Sequence, residues 1–481
     1  MGARLQHLGS WILGRLRAAH RRRVSRQAGF ALLVTTVTLA ILGAVVGEFG
    51  YNARVELEAA NNARDQMRAE YLARSGVNLS RLLIKVQKKV LDPLRNQVGD
   101  VQISEFAPYL VKAFGGAQDE REGIGAMLGI DASAIKGLGV GKDATFDVDL
   151  SAEDGRVNVN CAGGLNPGGN SLPPTPTPGA PPTGNTSTTT VGPRVLNGPD
   201  GLYQVLVALQ YPPRYNRMFE NPDADGQYNK RDDVARAVID WTDVDETRFE
   251  KPPNRGSGAE DYRYDARKDP YRAKNHFLDT VDELHLVRGV GDDWYGSFGD
   301  MLTVYGSCKV NVNAIKQEHW PIMAALIRTC AKNPQDPLVF DEPTVARVAQ
   351  GALGMAKMSA MMGSLGGAQT NSITGFANLI SNGPQAALSN LLGGSGQTPP
   401  PTSGSQQGAG IPVDGNCLAM IATMGPRKFY RVEASGSVSR PGGRAVQVKI
   451  RAVWDSERFN QNTVSNNPDD RQGTWAYWRM E

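Results

Sequence analysis

The sequence predicts an α+β fold in which a long N-terminal helix leads into an antiparallel sheet, with a helical domain inserted between strands. An uncharged run and an amphipathic stretch follow each other without a break near the N-terminus. Segments that alternate apolar and polar residues occur in the middle and at the end of the chain, and residues 196–300 between them show helical patterns. At 481 residues the chain is long enough for more than one compact unit.

The N-terminal helix is predicted from residues 30–92. No charged residue lies between Phe30 and Gly47, and eighteen residues at a rise of 1.5 Å would reach about 27 Å, enough to cross a bilayer core. After Glu48 the apolar residues recur at helical spacing, and the first proline is Pro93. We therefore expect one helix of about sixty residues that spans a membrane at residues 30–49 and ends before Pro93.

Positive charge is concentrated ahead of this helix. The chain has 52 Lys and Arg against 49 Asp and Glu, but seven arginines and no acid lie within residues 1–29. The remainder therefore has 45 basic and 49 acidic residues, a net charge of −4. The arginine cluster predicts a cytoplasmic N-terminus. The acidic remainder argues against a general affinity for nucleic-acid phosphates.

The strands of the predicted sheet come from several parts of the chain. Phe146–Leu150 alternates apolar and polar residues, Gly155–Asn160 does so again, and Cys308–Asn313 repeats the latter pattern. Near the C-terminus, an antiparallel pair is expected at 428–439 and 444–455, turning at 441–443, with a short aromatic segment at 475–478. Residues 163–194 and 363–412 are rich in Gly, Pro, Ser or Thr and are interpreted as a linker and a disordered insertion.

The four cysteines are far apart and form no C-x-x-C motif, which favours two disulfides over a zinc site. Sequence alone leaves three pairings open. We favour Cys161–Cys308 and Cys330–Cys417, because Cys161 and Cys308 border the two similar strands.

A family resemblance appears at the start of the apolar run. The sequence from Arg26 to Leu33 resembles a type IV prepilin peptidase site, cut between Gly29 and Phe30. Most pilins carry Glu at the fifth mature position, where this chain has Val34, and K-type pseudopilins of type II secretion systems characteristically lack that glutamate. The chain is similar to the K-type family throughout in the order of its motifs, which are 155–160, 237–241, 258–261, Asn275, 282–284 and 309–313.

The resemblance implies a pilin-like architecture and a structural role. The domains it implies are a cleaved basic leader at 1–29, the membrane and assembly helix at 30–92, a pilin-like domain at 93–162 and 306–362, a linker at 163–194, a helical domain at 195–305, a low-complexity insertion at 363–412 and C-terminal strands at 413–481. It also implies methylation of the new amine on Phe30. The protein would be a single-pass subunit of the bacterial inner membrane with its large domain in the periplasm. As a minor pseudopilin at the pseudopilus tip, it would nucleate assembly with the other pseudopilins and the inner-membrane secretion machinery, and assist export of folded proteins.

One candidate calcium loop follows the pattern of oxygen ligands around a glycine. Asn221, Asp223 and Asp225 precede Gly226 at alternate positions, and Asp232 stands at position 12 of such a loop. The alternative is a solvated turn in which Asp232 caps a helix.

A second candidate calcium site is a run of acids from Asp240 to Glu246, continued by Glu260 and Asp261. Clustered carboxylates repel one another unless cations lie among them. Asp243 and Asp245 are the favoured ligands, together with Glu260 and Asp261. The resemblance to K-type subunits also implies calcium in the inserted helical domain, because those subunits bind it there. The alternative is an exposed acidic loop paired with neighbouring arginines and lysines.

Two competing functions are weaker. A minor pilin could bind DNA or a surface through Leu284–Gly291, whose glycines resemble a phosphate-binding hairpin, but Asp292 and Asp293 follow at once and would repel a phosphate. A membrane-anchored hydrolase would need a catalytic constellation, and the residues after position 29 contain three histidines in no recognisable motif. We therefore expect no enzymatic activity.

Overall fold

The fold is described from a computed structural model of the chain. It describes residues 3–98, 100–115, 143–162, 198–222, 226–250, 258–260, 264, 270–362, 372–383, 410–440, 445–459 and 472–481.

A long helix and several short ones precede the first strand or lie between strands. The helices are α1 (Ala3–Val86), α2 (Asp92–Val98), α3 (Ile103–Gly115), α4 (Pro199–Gln210), α5 (Asn216–Glu220), α6 (Arg231–Thr242), α7 (Asp292–Phe298), α8 (Trp320–Thr329), α9 (Pro337–Phe340), α10 (Glu342–Met362), α11 (Ile373–Asn382) and α12 (Gly415–Ile421). The strands are β1 (Ala144–Ala152), β2 (Val157–Asn158), β3 (Leu302–Thr303), β4 (Val310–Asn311), β5 (Ala422–Thr423), β6 (Phe429–Val438), β7 (Val446–Phe459) and β8 (Gln472–Met480). The α+β class predicted from the sequence is confirmed.

The sequence predicts that the helix ends before Pro93, but the helical chain continues past this residue. Regular α-helix ends at Val86, a π-helical turn occupies Gln87–Leu91, and α2 continues through Pro93. The N–H of Asp92 bonds to the carbonyl of Gln87, five residues back. Because Pro93 lies in the first turn of α2, its missing N–H costs no helical hydrogen bond there.

The main sheet is antiparallel with the strand order β1-β6-β7-β8. Strand β1 pairs with β6 over its whole length, from Ala144 opposite Val438 to Ala152 opposite Tyr430. The predicted C-terminal pair is β6 and β7, and the aromatic segment belongs to the edge strand β8. The predicted turn at 441–443 lies outside the described residues.

The C-terminal half of α1 packs on this sheet and forms one hydrophobic core with it. Ala69, Ala73 and Val77 of the helix are buried against strand residues such as Val148 and Ala434. Two glycines, Gly76 of the helix and Gly436 of β6, allow the close approach, since a Cβ on Gly436 would lie 2.1 Å from the carbonyl oxygen of Ala69 and one on Gly76 2.8 Å from Cγ2 of Val148. We call α1 from residue 65, α3 and the four strands the sheet unit.

The rest of the described chain after β1 and before β6 forms a second core, which we call the helical unit. Its buried residues run from Val157 to Ala422 and include helices α4, α6, α8, α10 and α11. The predicted boundaries are therefore wrong in two places. Helices α8 and α10, expected in the sheet-containing domain at 306–362, pack in the helical core instead. Helix α11 lies inside the predicted disordered insertion at 363–412, with Phe376 and Ile380 fully buried.

The two Val-Asn-Val-Asn segments are mostly not strands. Each forms a two-residue parallel pair, β2 with β3 and β4 with β5, and then turns into 3-10 helix. The second-position asparagines explain the switch, because Asn158 and Asn311 accept hydrogen bonds from the backbone N–H two residues ahead. Disulfides join Cys161 to Cys308 and Cys330 to Cys417, the pairs favoured from the sequence.

Candidate metal centre

A cluster of carboxylates lies where helix α6 ends and the following loop folds back. Asp240 is in the last turn of α6, and Asp243 follows its C-terminus with an N–H bonded to the carbonyl of Ile239. A bridge between Thr247 and Ala259 brings Glu260 back to the same place. Oxygens of Asp240, Asp243 and Glu260 lie within 4.8 Å of one another.

Half of the six carboxylate oxygens in this cluster are buried and have no hydrogen-bond partner within the described residues. Oδ1 of Asp240 accepts the backbone N–H of Phe249 at 2.6 Å. Oδ1 of Asp243 and both carboxylate oxygens of Glu260 are buried and unpartnered. Glu260 is only 4 % exposed. Buried, unpaired carboxylates are costly in a folded protein unless a cation or a proton neutralises them.

The crowding shifts the acidity of two of these groups strongly. Burial, followed by the carboxylates of Asp245 and Asp240, raises the pKa of Asp243 to about 8. Burial raises the pKa of Glu260 to about 9, and the negative charges of Asp243, Asp240 and Asp245 contribute in that order. The described carboxylates of the cluster therefore form a strongly electronegative pocket.

Asn275 completes the cluster, and the sequence analysis did not include it among the site residues. It has a left-handed backbone with φ of 47°, which asparagine tolerates better than most residues. Its Nδ2 donates to the carbonyl of Asp245 at 3.0 Å, while its Oδ1 is buried without a partner. In the sequence, Asn275 stood out only as one of the positions that match the motifs of the K-type family.

The donor set fits calcium. All available ligand atoms are carboxylate or amide oxygens, the hard donors that Ca²⁺ prefers, and the cluster has no Cys or His ligand within the described residues. Of the predicted ligands, Asp243 and Glu260 meet in the cluster. The side chain of Asp245 is exposed and accepts the N–H of Thr247. Asp261 lies outside the described residues.

The first predicted calcium loop is only partly described. Asp223 and Asp225 lie outside the described residues. Asn221 is exposed beyond α5, and Asp232 is exposed in the first turn of α6. The N-terminus of α6 is capped by Lys230 and Asp233 and not by Asp232. The N–H of Lys230 donates to the carboxylate of Asp233 at 3.2 Å. This loop stays a prediction.

The expected cleavage point lies inside α1, ahead of its most exposed part. Phe30 is 70 % exposed, and apolar side chains beyond it as far as Phe49 stand free of the rest of the chain. This helix is long and apolar enough to cross a membrane. In a water-soluble protein such a surface would be an unfilled interface. It is consistent with a single-pass anchor.

Comparisons with known proteins match the segment that carries the carboxylate cluster. Residues 207–307 match the family model of "Type II secretion system (T2SS), protein K". A relative, type II secretion system protein K of Aeromonas hydrophila, is 35 % identical over 95 residues, which are 19 % of this chain and 27 % of the relative. The chain thus spans about a quarter of the length of that relative.

The comparison with solved structures matches the GspK-GspI-GspJ complex from the enterotoxigenic Escherichia coli type 2 secretion system. The match has 13 % identity and a TM-score of 0.36, and it covers 70 % of this chain and 80 % of the other. The resemblance to K-type minor pseudopilins predicted from the sequence is confirmed by the family match at residues 207–307.

Proposed function

We propose that this chain is the K-type minor pseudopilin of a type II secretion system, placed at the tip of the pseudopilus. The match of residues 207–307 to the protein K family carries the proposal. In this role it nucleates assembly with other minor pseudopilins of the I and J types, and it assists export of folded proteins across the outer membrane. Its contribution is structural, through the surfaces it presents.

The distribution of exposed apolar surface supports this role. Helix α1 leaves the sheet unit at Asp65, which is buried and pairs with Nε of Arg440 at 2.5 Å. From Phe30 to Leu57 every residue of the helix is exposed in the described structure. Such a helix can sit in a bilayer first and in a bundle of similar helices later, because both environments bury its apolar side chains. The sheet and helical units would then lie in the periplasm.

Processing at the N-terminus belongs to the same proposal. Cleavage between Gly29 and Phe30 would remove the basic leader, and methylation of Phe30 would follow. Mass spectrometry of the protein isolated from its membrane is expected to give a mature chain that begins with N-methylated Phe30. A start near residues 48–50 would instead indicate ordinary signal-peptide processing and would contradict a pilin-type anchor.

Calcium would be held by the carboxylate cluster. The residues that would hold it are Asp240, Asp243, Glu260 and Asn275, with Asp245 nearby. The bound ion would supply positive charge that neutralises the buried oxygens and fastens the loop after α6 to the segment around Glu260. The cluster lies inside the segment that matches the protein K family.

The function is tested by assembly and export together. Deletion of the gene is expected to abolish export of the system's folded substrates, and full-length protein is expected to restore it. The full chain should also copurify from membranes with minor pseudopilins of the I and J types. Normal export after deletion, or copurification with unrelated partners alone, would overturn the proposal.

A further inference from the structure

A cavity of about 340 Å³ opens on the helical unit between α4, the end of α8 and α9. It shares no lining residue with the carboxylate cluster. Its walls are mainly apolar, formed by residues such as Val207, Tyr211 and Phe340. Arg328 is the one charged side chain among the described residues that line it.

Arg328 is held in place by some of its contacts, but its hydrogen-bonding capacity is not fully used. Its Nε donates to the carbonyl of Val339 at 3.2 Å, and its guanidinium lies 5.6 Å from the centre of the Tyr211 ring. Its Nη2 is buried and has no hydrogen-bond partner within the described residues. Burial lowers the pKa of Arg328, so the charge is partly desolvated. An arginine in this condition retains strong donor capacity for an anion.

The acid whose charge acts on Arg328 does not use that capacity. Glu342 is close enough for its charge to act on Arg328. Its carboxylate faces Arg214 instead, with Oε1 3.4 Å from Nε. The free donor of Arg328 is thus available to a group that enters the cavity from outside.

The mouth of the cavity continues as an aromatic surface. Tyr211 and Phe340 are 38 % and 43 % exposed, and their rings lie 5.4 Å apart. A polar anchor surrounded by aromatic side chains that extend past the cavity is typical of a protein contact, where Tyr and Arg are enriched. The Cys330–Cys417 disulfide begins two residues after Arg328 and limits movement of this wall.

We propose that this cavity is a docking site for a polypeptide that presents a glutamate or aspartate side chain beside an apolar one. The carboxylate accepts from Nη2 of Arg328, and the apolar neighbour packs on the exposed faces of the Tyr211 and Phe340 rings. The site goes beyond the assembly role, because it lies on the helical unit and uses neither the anchor helix nor the sheet. It therefore stands or falls independently of the tip position and of secretion.

The test uses the purified full chain in detergent micelles and two capped dipeptides. Acetyl-Phe-Glu-amide is titrated against acetyl-Phe-Gln-amide, which has the same shape without the charge, and binding is followed by calorimetry or ligand-observed NMR. Loss of one hydrogen bond to a charged group corresponds to roughly tenfold or more in Kd, so the Glu peptide is expected to bind better by that factor. Arg328→Gln should abolish the difference between the two peptides.

Two control variants, and acetate as a small competing anion, complete the test. Arg217→Gln changes an exposed arginine on α5 outside the cavity and should leave binding unchanged. Phe340→Ala, at a half-exposed rim position, should weaken both peptides equally and covers the case in which Arg328→Gln does not fold. Equal binding of the two peptides by the wild type, equal loss in Arg217→Gln, or binding of acetate as tight as that of the Glu peptide would overturn the proposal.

Discussion

At the residue scale, the cluster after α6 brings three carboxylates close together. Asp243 Oδ1 and both oxygens of Glu260 are buried and have no hydrogen-bond partner in the described part of the chain, so a bound cation should stabilise the folded chain relative to the unfolded one. We expect calcium to raise the melting temperature of the purified full chain, by an amount equivalent to about 2.7 kcal/mol at a hundredfold excess of free calcium over Kd. Thermal melts in calcium and in chelator measure this directly.

Matched variants locate the ion. Glu260→Gln removes one charge from the cluster and should largely eliminate the calcium effect, whereas Glu246→Gln, on the exposed part of the same loop, should preserve it. Asp225→Ala tests the other predicted loop. If that variant loses the effect while Glu260→Gln keeps it, the ion belongs to the loop at 221–232.

Asp154 provides a second prediction at this scale, concerning pH. It lies at the junction of the two units, is 7 % exposed, and accepts the N–H groups of Lys428 at 2.5 Å and Phe429 at 3.0 Å. Burial raises its pKa to about 6, from 3.8. Between these values the folded chain holds a proton that the unfolded chain has lost, so this group's contribution to stability is complete below about pH 4 and is lost as the pH rises through about 6.

The pH effect is measurable with an isosteric variant. Melting temperatures of Asp154→Asn should lack the part of the wild-type decrease that occurs between pH 4 and 6. Asp149→Asn, on the exposed face of the neighbouring strand β1, is the control and should follow the wild type. An identical pH profile in Asp154→Asn and the wild type would show that Asp154 does not titrate in this range.

At the scale of elements, the contact between α1 and the sheet depends on the absence of a side chain. A Cβ on Gly436 would lie 2.1 Å from the Ala69 carbonyl oxygen and 2.7 Å from the Ala73 nitrogen, both backbone atoms of α1. Gly436→Ala should therefore push the helix from the sheet and lower the free energy of unfolding by about 1–3 kcal/mol. Denaturant unfolding of the full chain checks this.

A second glycine offers the control for that change. A Cβ on Gly425 would meet only Oγ1 of Thr423 at 3.9 Å, an ordinary contact. Gly425→Ala should leave stability unchanged or raise it slightly, because alanine restricts the unfolded chain. Equal stabilities for the two variants would mean that α1 is not held closely against β6.

The elements that the sequence predicted well are those in which the apolar pattern repeats over many residues. The apolar pattern of α1 and the alternation in β1, β6 and β7 extend over many residues, and the structure has each of them. The Val-Asn-Val-Asn segments alternate over too few residues for the pattern to decide, and the asparagine side chains bond to the local backbone and turn the chain. Helix α11 was missed because low-complexity sequence surrounds its short apolar face.

The candidate metal centre was predictable only in part for a similar reason. Asp240, Asp243 and Asp245 are close in sequence, so their clustering is visible there. Glu260 was also predicted as a ligand, but the bridge that brings it to Asp243 and the left-handed turn at Asn275 leave no local pattern of charge. The sequence therefore identified the acidic residues, while the position of Asn275 beside them required the fold.

At the scale of the whole molecule, the helical unit is inserted between two neighbouring strands of the sheet. Strands β1 and β6 pair directly, yet the chain between them builds an entire second core. The N–H of Glu153 bonds to the Phe429 carbonyl at 2.9 Å, so the chain leaves and re-enters the sheet at one point. An insertion of this kind adds bulk beside the sheet without disturbing the face that receives α1.

The last prediction is that this bulk and Val34 together restrict the protein to the filament tip. In the pilins that the chain resembles, a glutamate at this position is thought to neutralise the terminal amine of a neighbouring subunit, and a carboxylate left unpaired among apolar helices would cost several kcal/mol. A subunit with no neighbour ahead of it has no such amine to meet, so valine avoids that cost. A uniform shaft would also have little room for the helical unit. We therefore expect one copy per pseudopilus, with label seen only at filament ends by electron microscopy, and regular labelling along the shaft would contradict the tip position whatever the N-terminal processing shows.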